Sequence, residues 1–228
     1  SQHVALVGGD TCQGPLSITV QALGSVPVGQ ALRRSGARAG DRIVVSGAPG
    51  EAGLGLRLLQ AGGIDAVRDD DRELVARLLQ RLHRPTPRVS LGRVLRGLAT
   101  ACIDISDGLV ADLGHVLDAS GVGARVDVDA LPIAPAVQQL VGFEPARQAA
   151  LGAGDDYELC FTIPPDSMDA LQRIGQHLGL ALTVIGRIEA EPGLRLQTGG
   201  GLPFVCPDAG YRHFSDDSEA GEVDDGSA

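Results

Sequence analysis

Residues 101–109 carry two carboxylates and a hydroxyl across the junction of a predicted strand and a predicted helix. The mostly apolar stretch 99–105 indicates the strand, and the helix is indicated by apolar residues at helical spacing ahead of a stop at Gly121, namely Leu109, Val110, Leu113 and Leu117. Asp104 is therefore expected near the carboxyl end of a strand. The junction limits the chain to folds in which a strand enters a helix through an acidic turn.

This acidic turn has two interpretations. Ser106 or Asp107 can cap the helix, because a side-chain oxygen at that position accepts a backbone N–H. The first N–H groups of a helix and the positive end of its dipole also favour a bound anion. Taken alone, the segment fits either an ordinary cap or a metal and phosphate site.

Two further turns rich in glycine and aspartate lie elsewhere in the chain. Residues 7–11 follow the apolar run 4–7, where we expect a strand, and the glycines before Asp10 let the backbone approach a ligand closely. Residues 152–158 lead into a predicted strand with apolar residues at 159, 161 and 163. Each turn alone is ordinary, since glycine and aspartate are common turn residues. Together the three turns predict grouped carboxylates without cysteine or histidine, which suit a hard cation such as Mg²⁺.

The sequence contains no lysine, and all 19 basic residues are arginines. A Walker A loop and a protein-kinase site each need a lysine beside the phosphates, and Schiff-base chemistry needs an amine. These three mechanisms are therefore excluded. The glycine-rich stretch 46–55 lacks the spacing of a dinucleotide-binding loop, and we interpret it as a turn between a strand at 42–45 and a helix.

Composition restricts the compartment and the partners. No run of about 18 apolar residues and no charged leader is visible, so we expect a cytoplasmic protein without a membrane partner. The four cysteines lack metal-site spacing and are expected to be reduced thiols. Six acidic residues of a chain with net charge −10 lie in 215–228, which we interpret as a disordered tail. The remainder has no basic patch and few aromatic residues, so nucleic-acid binding is not expected.

Helices and strands alternate along the rest of the chain. Helices are predicted over 71–82, 91–98 and 167–178, strands over 124–128 and 182–185, and a hairpin over 194–205. Interleaved elements of this kind predict an α+β fold, a mixed sheet with packed helices.

Several motifs occur in an order and spacing that resemble bacterial thiamine-monophosphate kinase. They are Gly8-Gly9-Asp10-Thr11, Gly14-Pro15-Leu16-Ser17, Arg34-Ser35-Gly36, Arg84-Pro85-Thr86-Pro87-Arg88, Ile105-Ser106-Asp107-Gly108-Leu109 and Asp155-Asp156-Tyr157-Glu158-Leu159. The resemblance covers nearly all of residues 4–214. It implies the C-terminal domain of the wider aminoimidazole-ribonucleotide synthetase-like fold, preceded by remnant strands of the N-terminal domain.

The resemblance implies a kinase that uses ATP and Mg²⁺ to convert thiamine monophosphate to thiamine diphosphate. Carried over position by position, the resemblance implies nucleotide contacts at Gly9, Asp10, Arg34 and Ser106. It implies metal ligands at Asp10, Asp104 and Asp107, of which Asp104 and Asp107 are also catalytic. The implied contacts to the acceptor, thiamine monophosphate, are Asp155 and Tyr211. The residue inventory agrees with this chemistry. A phosphate monoester with a second pKa of about 6 is largely ionised at neutral pH, so the acceptor needs no general base.

The resemblance also implies a further N-terminal region of about a hundred residues, roughly one small domain, which supplies more carboxylates and a dimer-forming sheet. We therefore interpret residues 1–28 as the last strands of that domain, 29–214 as the C-terminal α/β domain and 215–228 as the tail, and expect the whole protein to be a homodimer. Gln13 and Asp155 depart from the family, which usually has arginine and often glutamate there. The alternative is a non-catalytic or partner-dependent nucleotide- or metal-binding module of the same fold, or another ATP-using relative.

Overall fold

One mixed sheet lies at the centre of the computed structural model, which describes residues 4–206 and residue 210. Its six strands are β1 Arg42–Ser46, β2 Ala101–Asp104, β3 Gly123–Asp127, β4 Leu159–Ile163, β5 Leu182–Glu189 and β6 Gly193–Gln197. Their order across the sheet is β2, β4, β1, β5, β3, β6. β3 and β6 run parallel, and every other neighbouring pair runs antiparallel. The predicted mixed sheet is confirmed.

The described residues contain seven α-helices, which pack around this sheet. They are α1 Glu51–Gln60, α2 Arg72–His83, α3 Val89–Val94, α4 Leu109–Ser120, α5 Pro135–Val141, α6 Phe143–Gly152 and α7 Met168–Leu178. Side chains of β1 alternate between the two faces of the sheet. Val44 packs with α3 and α7 on one face, whereas Ile43 and Val45 pack with α4 on the other. The predicted α+β fold with packed helices is therefore confirmed.

Four helices form a further apolar cluster. Its buried members come from α1, α2, α5 and α6 and are Leu54, Leu78, Val137, Ala146 and Ala149. Close packing of α1 on α2 requires Gly55, because a Cβ there would lie 2.5 Å from the carbonyl oxygen of Leu78. The glycine-rich stretch 46–55 therefore contains the predicted turn between a strand and a helix, and its last glycine allows the helix to pack.

The hairpin predicted over 194–205 forms only in part. The chain turns after β6 and returns to it through a bridge between Gln197 and Pro203 and an N–H of Phe204 that donates to the Leu196 carbonyl at 2.9 Å. The main partner of β6 is instead β3, in parallel register from Gly123 opposite Gly193. A strand that pairs with a distant segment cannot be recognised from local turn residues.

Residues 4–28 contain no helix or strand in the structure, which differs from the strand predicted over 4–7. Apolar side chains in this segment are exposed, with Leu6 at 96%. A strand is stable only when neighbouring strands satisfy its backbone groups, and residues 4–28 pair with no strand of the described sheet. The domain boundaries near 28 and 214 stay predictions, and the tail 215–228 lies outside the described residues.

Two expectations about the chain as a whole have structural counterparts. None of the described helices has the length and apolar character needed to cross a membrane. The four cysteines all lie in the described part and form no disulfide, with Cys160 buried and Cys12 exposed.

Candidate active site

Two loops meet at one edge of the sheet and carry three of the predicted site residues, Ser106, Asp107 and Asp155. The first, residues 106–108, lies between β2 and α4, and the second, residues 153–158, connects α6 to β4. The N–H of Asp155 donates to the Ser106 carbonyl and the N–H of Tyr157 to the Ile105 carbonyl, each at 2.9 Å. These bonds extend the antiparallel pairing of β2 with β4 beyond the strands. The structure therefore places the two predicted acidic turns side by side.

Glycines permit this close approach of the two loops. A Cβ at Gly154 would lie 2.1 Å from the carbonyl oxygen of Ser106, and one at Gly108 would lie 2.6 Å from that of Gly152. Gly108 also has φ +118°, a conformation that side chains disfavour. A larger residue at either position would force the loops apart.

The start of α4 is capped from inside the helix. Asp112, in the first turn, is buried, and its Oδ2 accepts the N–H groups of Ser106 at 2.9 Å, Asp107 at 3.0 Å and Gly108 at 3.2 Å. The prediction that Ser106 or Asp107 caps the helix is wrong, because Gly108 is the N-cap residue and no side chain there bonds the helix. The N–H groups of residues 106–108 are taken by a carboxylate, so an anion cannot use them.

Three predicted carboxylates surround one tyrosine of the second loop. Asp104 and Asp155 are exposed and Asp107 is half-buried. Tyr157 is exposed, but the partial burial of its hydroxyl raises the pKa, and the nearby charges of Asp155, Asp104 and Asp107 raise it further. That hydroxyl donates to Asp155 Oδ1 at 3.3 Å. Asp104, Asp107 and Asp155 therefore share one acidic surface.

The backbone of the second loop is unusual at the residues that face this surface. Asp155 has φ +65° and Tyr157 φ +50°, and these are the positive-φ residues other than glycine in the described chain. Such conformations cost roughly 1–3 kcal/mol each and concentrate at functional sites, where the surrounding structure holds them in place.

Two buried acidic residues alternate with the exposed ones. Asp156 Oδ2 accepts the N–H of Gly50 at 2.5 Å, and its Oδ1 accepts the N–H of Ala52 at 3.0 Å, so this carboxyl caps α1. Burial raises its pKa to about 7, although the two N–H donors and the charge of Arg81 oppose the rise. Asp156 was not predicted as a structural residue. The available signal was its even spacing from Cys160, which places both side chains on the same face of an extended segment, and both are buried.

The second buried acid, Glu158, is the centre of an ion-pair network. Its carboxylate accepts from Arg81 Nη2 at 2.6 Å, Arg88 Nε at 2.6 Å and Ser46 Oγ at 2.5 Å. The bond to Glu158 in turn raises the pKa of the Arg88 guanidinium. Arg88 belongs to one of the motifs that carry the resemblance, and the structure gives it the role of anchoring the second loop.

A cavity of about 790 Å³ opens beside the two loops. It is lined by residues of α1 and α6, by both loops and by Gly210, and the lining includes Arg57, Ser106, Asp107, Asp155 and Tyr157. Its volume lies in the range of about 300–1,000 Å³ usual for small-molecule sites. Arg57 and Tyr157 were not predicted as site residues.

The other predicted residues that the structure describes, Asp104 among them, do not line this cavity. Gly9 and Asp10 lie in the exposed segment 4–28, where Asp10 bonds only nearby residues, such as the N–H of Thr11 at 2.8 Å. The Arg34 carbonyl accepts from Ser120 Oγ at 3.4 Å, at the opposite end of α4 from the 106–108 loop. Twelve helical residues separate these ends by about 17 Å at roughly 1.5 Å per residue. Tyr211 lies outside the described residues, although its neighbour Gly210 lines the cavity.

The donor set fits the Mg²⁺ ions that the resemblance implies. Within the described residues, no three acidic, histidine or cysteine side chains are grouped closely enough to hold a metal ion by themselves. Asp104 is nevertheless exposed and Asp107 half-buried, so both carboxylates can be reached from solvent. Mg²⁺ usually takes one or two protein carboxylates and completes its shell with water and substrate phosphates. The two residues fit that mode of binding.

The family of the chain follows from its central region. Residues 38–199 match the family described as AIR synthase related protein, C-terminal domain. The chain belongs to this family. The matched AIR synthase related domain contains every strand of the sheet and both loops of the site.

Individual relatives within the AIR synthase related family are more specific. The thiamine-monophosphate kinase of Salmonella typhimurium is 47% identical over 212 residues, which cover 92% of this chain and 63% of that protein. The crystal structure of the thiamine-monophosphate kinase from Stenotrophomonas maltophilia K279a aligns at 48% identity with a TM-score of 0.70, covering 78% of this chain and 56% of that one. AaThiL complexed with AMPPCP and TMP aligns at 33% identity with a TM-score of 0.65, covering 80% and 54%. The resemblance found in the motifs is confirmed, and the chain spans 63% of the length of the Salmonella relative.

Proposed function

We propose that this chain supplies the C-terminal part of a kinase that transfers the γ-phosphoryl group of ATP to thiamine monophosphate, giving thiamine diphosphate and ADP. The observation that carries the proposal is that Ser106, Asp107 and Asp155 line the same cavity. The first two are the expected ATP and metal contacts, and the third is the expected acceptor contact. Direct transfer requires the phosphoryl donor and the phosphoryl acceptor to be bound next to each other, and residues expected to contact each of them line one cavity.

The reaction needs positioning and charge compensation more than acid or base groups. A phosphate oxygen of thiamine monophosphate attacks the γ-phosphorus of ATP, the bond from that phosphorus to the β-bridging oxygen breaks, and ADP leaves. The attacking oxygen is already ionised at neutral pH, so the reaction needs no general base. This agrees with the acidic surface, whose named residues include no histidine. In-line transfer of this kind is promoted by orientation and by cations near the transferred group.

Residues on the nucleotide side are proposed as follows. Asp104 and Asp107 hold Mg²⁺, which when bound offsets phosphate charge, and the Ser106 hydroxyl contacts the nucleotide. Gly9, Asp10 and Arg34 stay predicted nucleotide contacts. AaThiL, a relative, binds the ATP analogue AMPPCP, and this supports ATP as the donor.

The acceptor side is proposed to include Asp155 and Tyr211. A carboxylate and an aromatic ring suit a cationic thiazolium, through charge and through a cation–π attraction of roughly 0.5–2 kcal/mol. Support comes from Asp155 in the cavity wall, from the adjoining Gly210, and from AaThiL, whose complex also contains TMP. A homodimer in the cytoplasm, without nucleic-acid or membrane partners, remains our expectation for the whole protein.

An ADP-release assay tests the proposal. The 228-residue chain is compared with the same chain joined to the part of the Salmonella relative that it does not cover. We expect negligible turnover from the chain alone and thiamine monophosphate-dependent turnover from the joined protein. A joined protein that binds ATP but releases no ADP with this acceptor supports the non-catalytic or alternative-substrate interpretation instead.

Substitutions in the joined protein test the two sets of residues. Asp104→Asn and Asp107→Asn should each lower activity and raise the Mg²⁺ requirement, since each removes a metal-binding charge. Asp155→Ala and Tyr211→Ala should weaken thiamine monophosphate binding much more than ATP binding in calorimetric titrations. Equal losses for both ligands would contradict the acceptor assignment, and normal activity with reduced thermal stability alone would contradict the metal assignment.

A further inference from the structure

One buried carboxylate, that of Asp112, accepts hydrogen bonds from the backbone of the proposed nucleotide-binding loop. Asp112 is 3% exposed and lies in the first turn of α4. Its Oδ2 is the common acceptor for three consecutive N–H groups, those of Ser106, Asp107 and Gly108. An ordinary cap bonds one or two N–H groups inside the helix. Here the bonded residues precede the helix and include two of the proposed ligand contacts.

We propose that Asp112 is a positioning residue, which fixes the 106–108 loop so that Ser106 and Asp107 present their side chains to Mg·ATP. The inference rests on the proposed function of that loop. Hydrogen bonds to an ionised acceptor are about twice as strong as neutral ones, and three that converge on one oxygen fix the direction of three successive peptide units. A loop that is rigid before ligand binding loses less conformational freedom when the ligand binds.

The opposite side of the loop is fixed by backbone contacts. The Ser106 carbonyl accepts the N–H of Asp155, and a Cβ at Gly108 would meet the carbonyl of Gly152 at 2.6 Å. The N–H groups of the 106–108 loop thus donate to Asp112, and the carbonyl of Ser106 accepts from the second loop. The backbone that carries Ser106 and Asp107 is thereby held in place beside the cavity.

Asp112→Asn tests the inference, with Asp118→Asn as the matched control. Asp118 lies on the same helix with an exposed side chain, so its change leaves the loop intact. The asparagine at 112 keeps the shape of the side chain but loses the charge. In the joined protein we expect the Mg·ATP dissociation constant to rise by about 10- to 100-fold, the range found when a residue that orients metal ligands is replaced. The affinity for thiamine monophosphate should change far less, and the control should match the wild type for both ligands.

Amide hydrogen exchange provides a readout independent of activity and of folding of the variant. In the unsubstituted 228-residue chain, the amides of Ser106, Asp107 and Gly108 should be protected although they lie outside any helix or strand. Exchange of all three at the rate of an unstructured peptide would overturn the inference without any variant. In Asp112→Asn, protection should be lost at these three amides and kept in the sheet.

The outcomes separate this inference from the proposed function. A lower melting temperature with unchanged Mg·ATP affinity would reduce Asp112 to a structural cap and overturn the inference. A wild-type joined protein that binds Mg·ATP without phosphorylating thiamine monophosphate would overturn the proposed function, while a selective affinity loss in Asp112→Asn would still support the positioning role.

Discussion

Replacing Glu158 with glutamine should destabilise the fold more than any change of an exposed ion pair. The carboxylate is fully buried and accepts two bonds from Arg88, one from Arg81 and one from Ser46. Glutamine keeps one acceptor oxygen, but its NH₂ group replaces the other oxygen and lies against a guanidinium. Both of these groups are hydrogen-bond donors, so at least one hydrogen bond of the network is lost. Arg88 then loses its counter-charge, and Arg81 keeps only the carboxylate of Glu51, 3.8 Å from its Nε.

The size of the effect follows from this count. A hydrogen bond to a charged group contributes about 1.5–3 kcal/mol, and glutamine loses about two of them. Breaking one partner out of a buried ion pair costs about 3–5 kcal/mol. Because Arg81 and Arg88 retain 15% and 18% exposure and can turn toward water, we expect a loss of about 3–4 kcal/mol, within that range. This is a large share of a total stability of about 5–15 kcal/mol.

Equilibrium urea unfolding followed by far-ultraviolet circular dichroism measures the loss, since the chain has no tryptophan for fluorescence. Arg68→Ala is the control, because Arg68 is 82% exposed in its pair with Asp71, and an exposed pair contributes at most about 1 kcal/mol. If Glu158→Gln lowers the free energy of unfolding no more than the control does, the network does not anchor the second loop and our reasoning fails.

Three further predictions concern neighbouring groups. Gly154→Ala should lower the stability of the fold by about 1–3 kcal/mol, because the added methyl group overpacks against the first loop. The control is Gly114→Ala on α4, which should be neutral or stabilising because no atom lies near the added methyl group. Equal effects of the two changes in thermal melts would contradict the close approach of the loops. Burial raises the pKa of Asp156 to about 7, above its unfolded value of about 3.9, so the folded chain binds more protons between these values and its contribution to stability falls as pH rises from about 4 to about 7. Asp156→Asn should remove that pH dependence from urea-unfolding data, and an unchanged slope would assign it to other groups. Cys12 should react rapidly with a thiol reagent and Cys160 only after unfolding, because burial raises the pKa of the Cys160 thiol, and equal rates in the folded chain would contradict this.

The contents of the site could be predicted from sequence more completely than its assembly. Asp104 and Ser106 follow from a strand that changes into a helix, a local pattern that side-chain periodicity reveals. That Asp155 lies beside Ser106 depends on β2 pairing antiparallel with β4, which brings the end of one strand next to the start of the other. No local signal specifies that pairing across more than fifty residues, so the grouping of the turns was inferred from their shared composition, and the roles of Asp155 and Ser106 came from the resemblance.

Residues that hold the site were missed for a related reason. Asp112 reads as a polar residue on a helix, and only the folded backbone shows three N–H groups directed at it. The helix-start rule favours a cap at the residue before the helix, yet Gly108 occupies that position. The rule predicted that a side-chain oxygen would satisfy these N–H groups, but it placed that oxygen on the wrong side of the turn.

The alternation along residues 155–158 explains how a strained loop can remain ordered. Asp155 and Tyr157 point outward with positive φ, at a cost of roughly 1–3 kcal/mol each. Asp156 and Glu158 point inward, where one caps α1 and the other binds two arginines. The N–H groups of the two outward residues also donate to the carbonyls of Ser106 and Ile105. Each strained residue is thus followed by a buried anchor, and losing an anchor should release Asp155 and Tyr157 from the cavity wall before it unfolds the sheet.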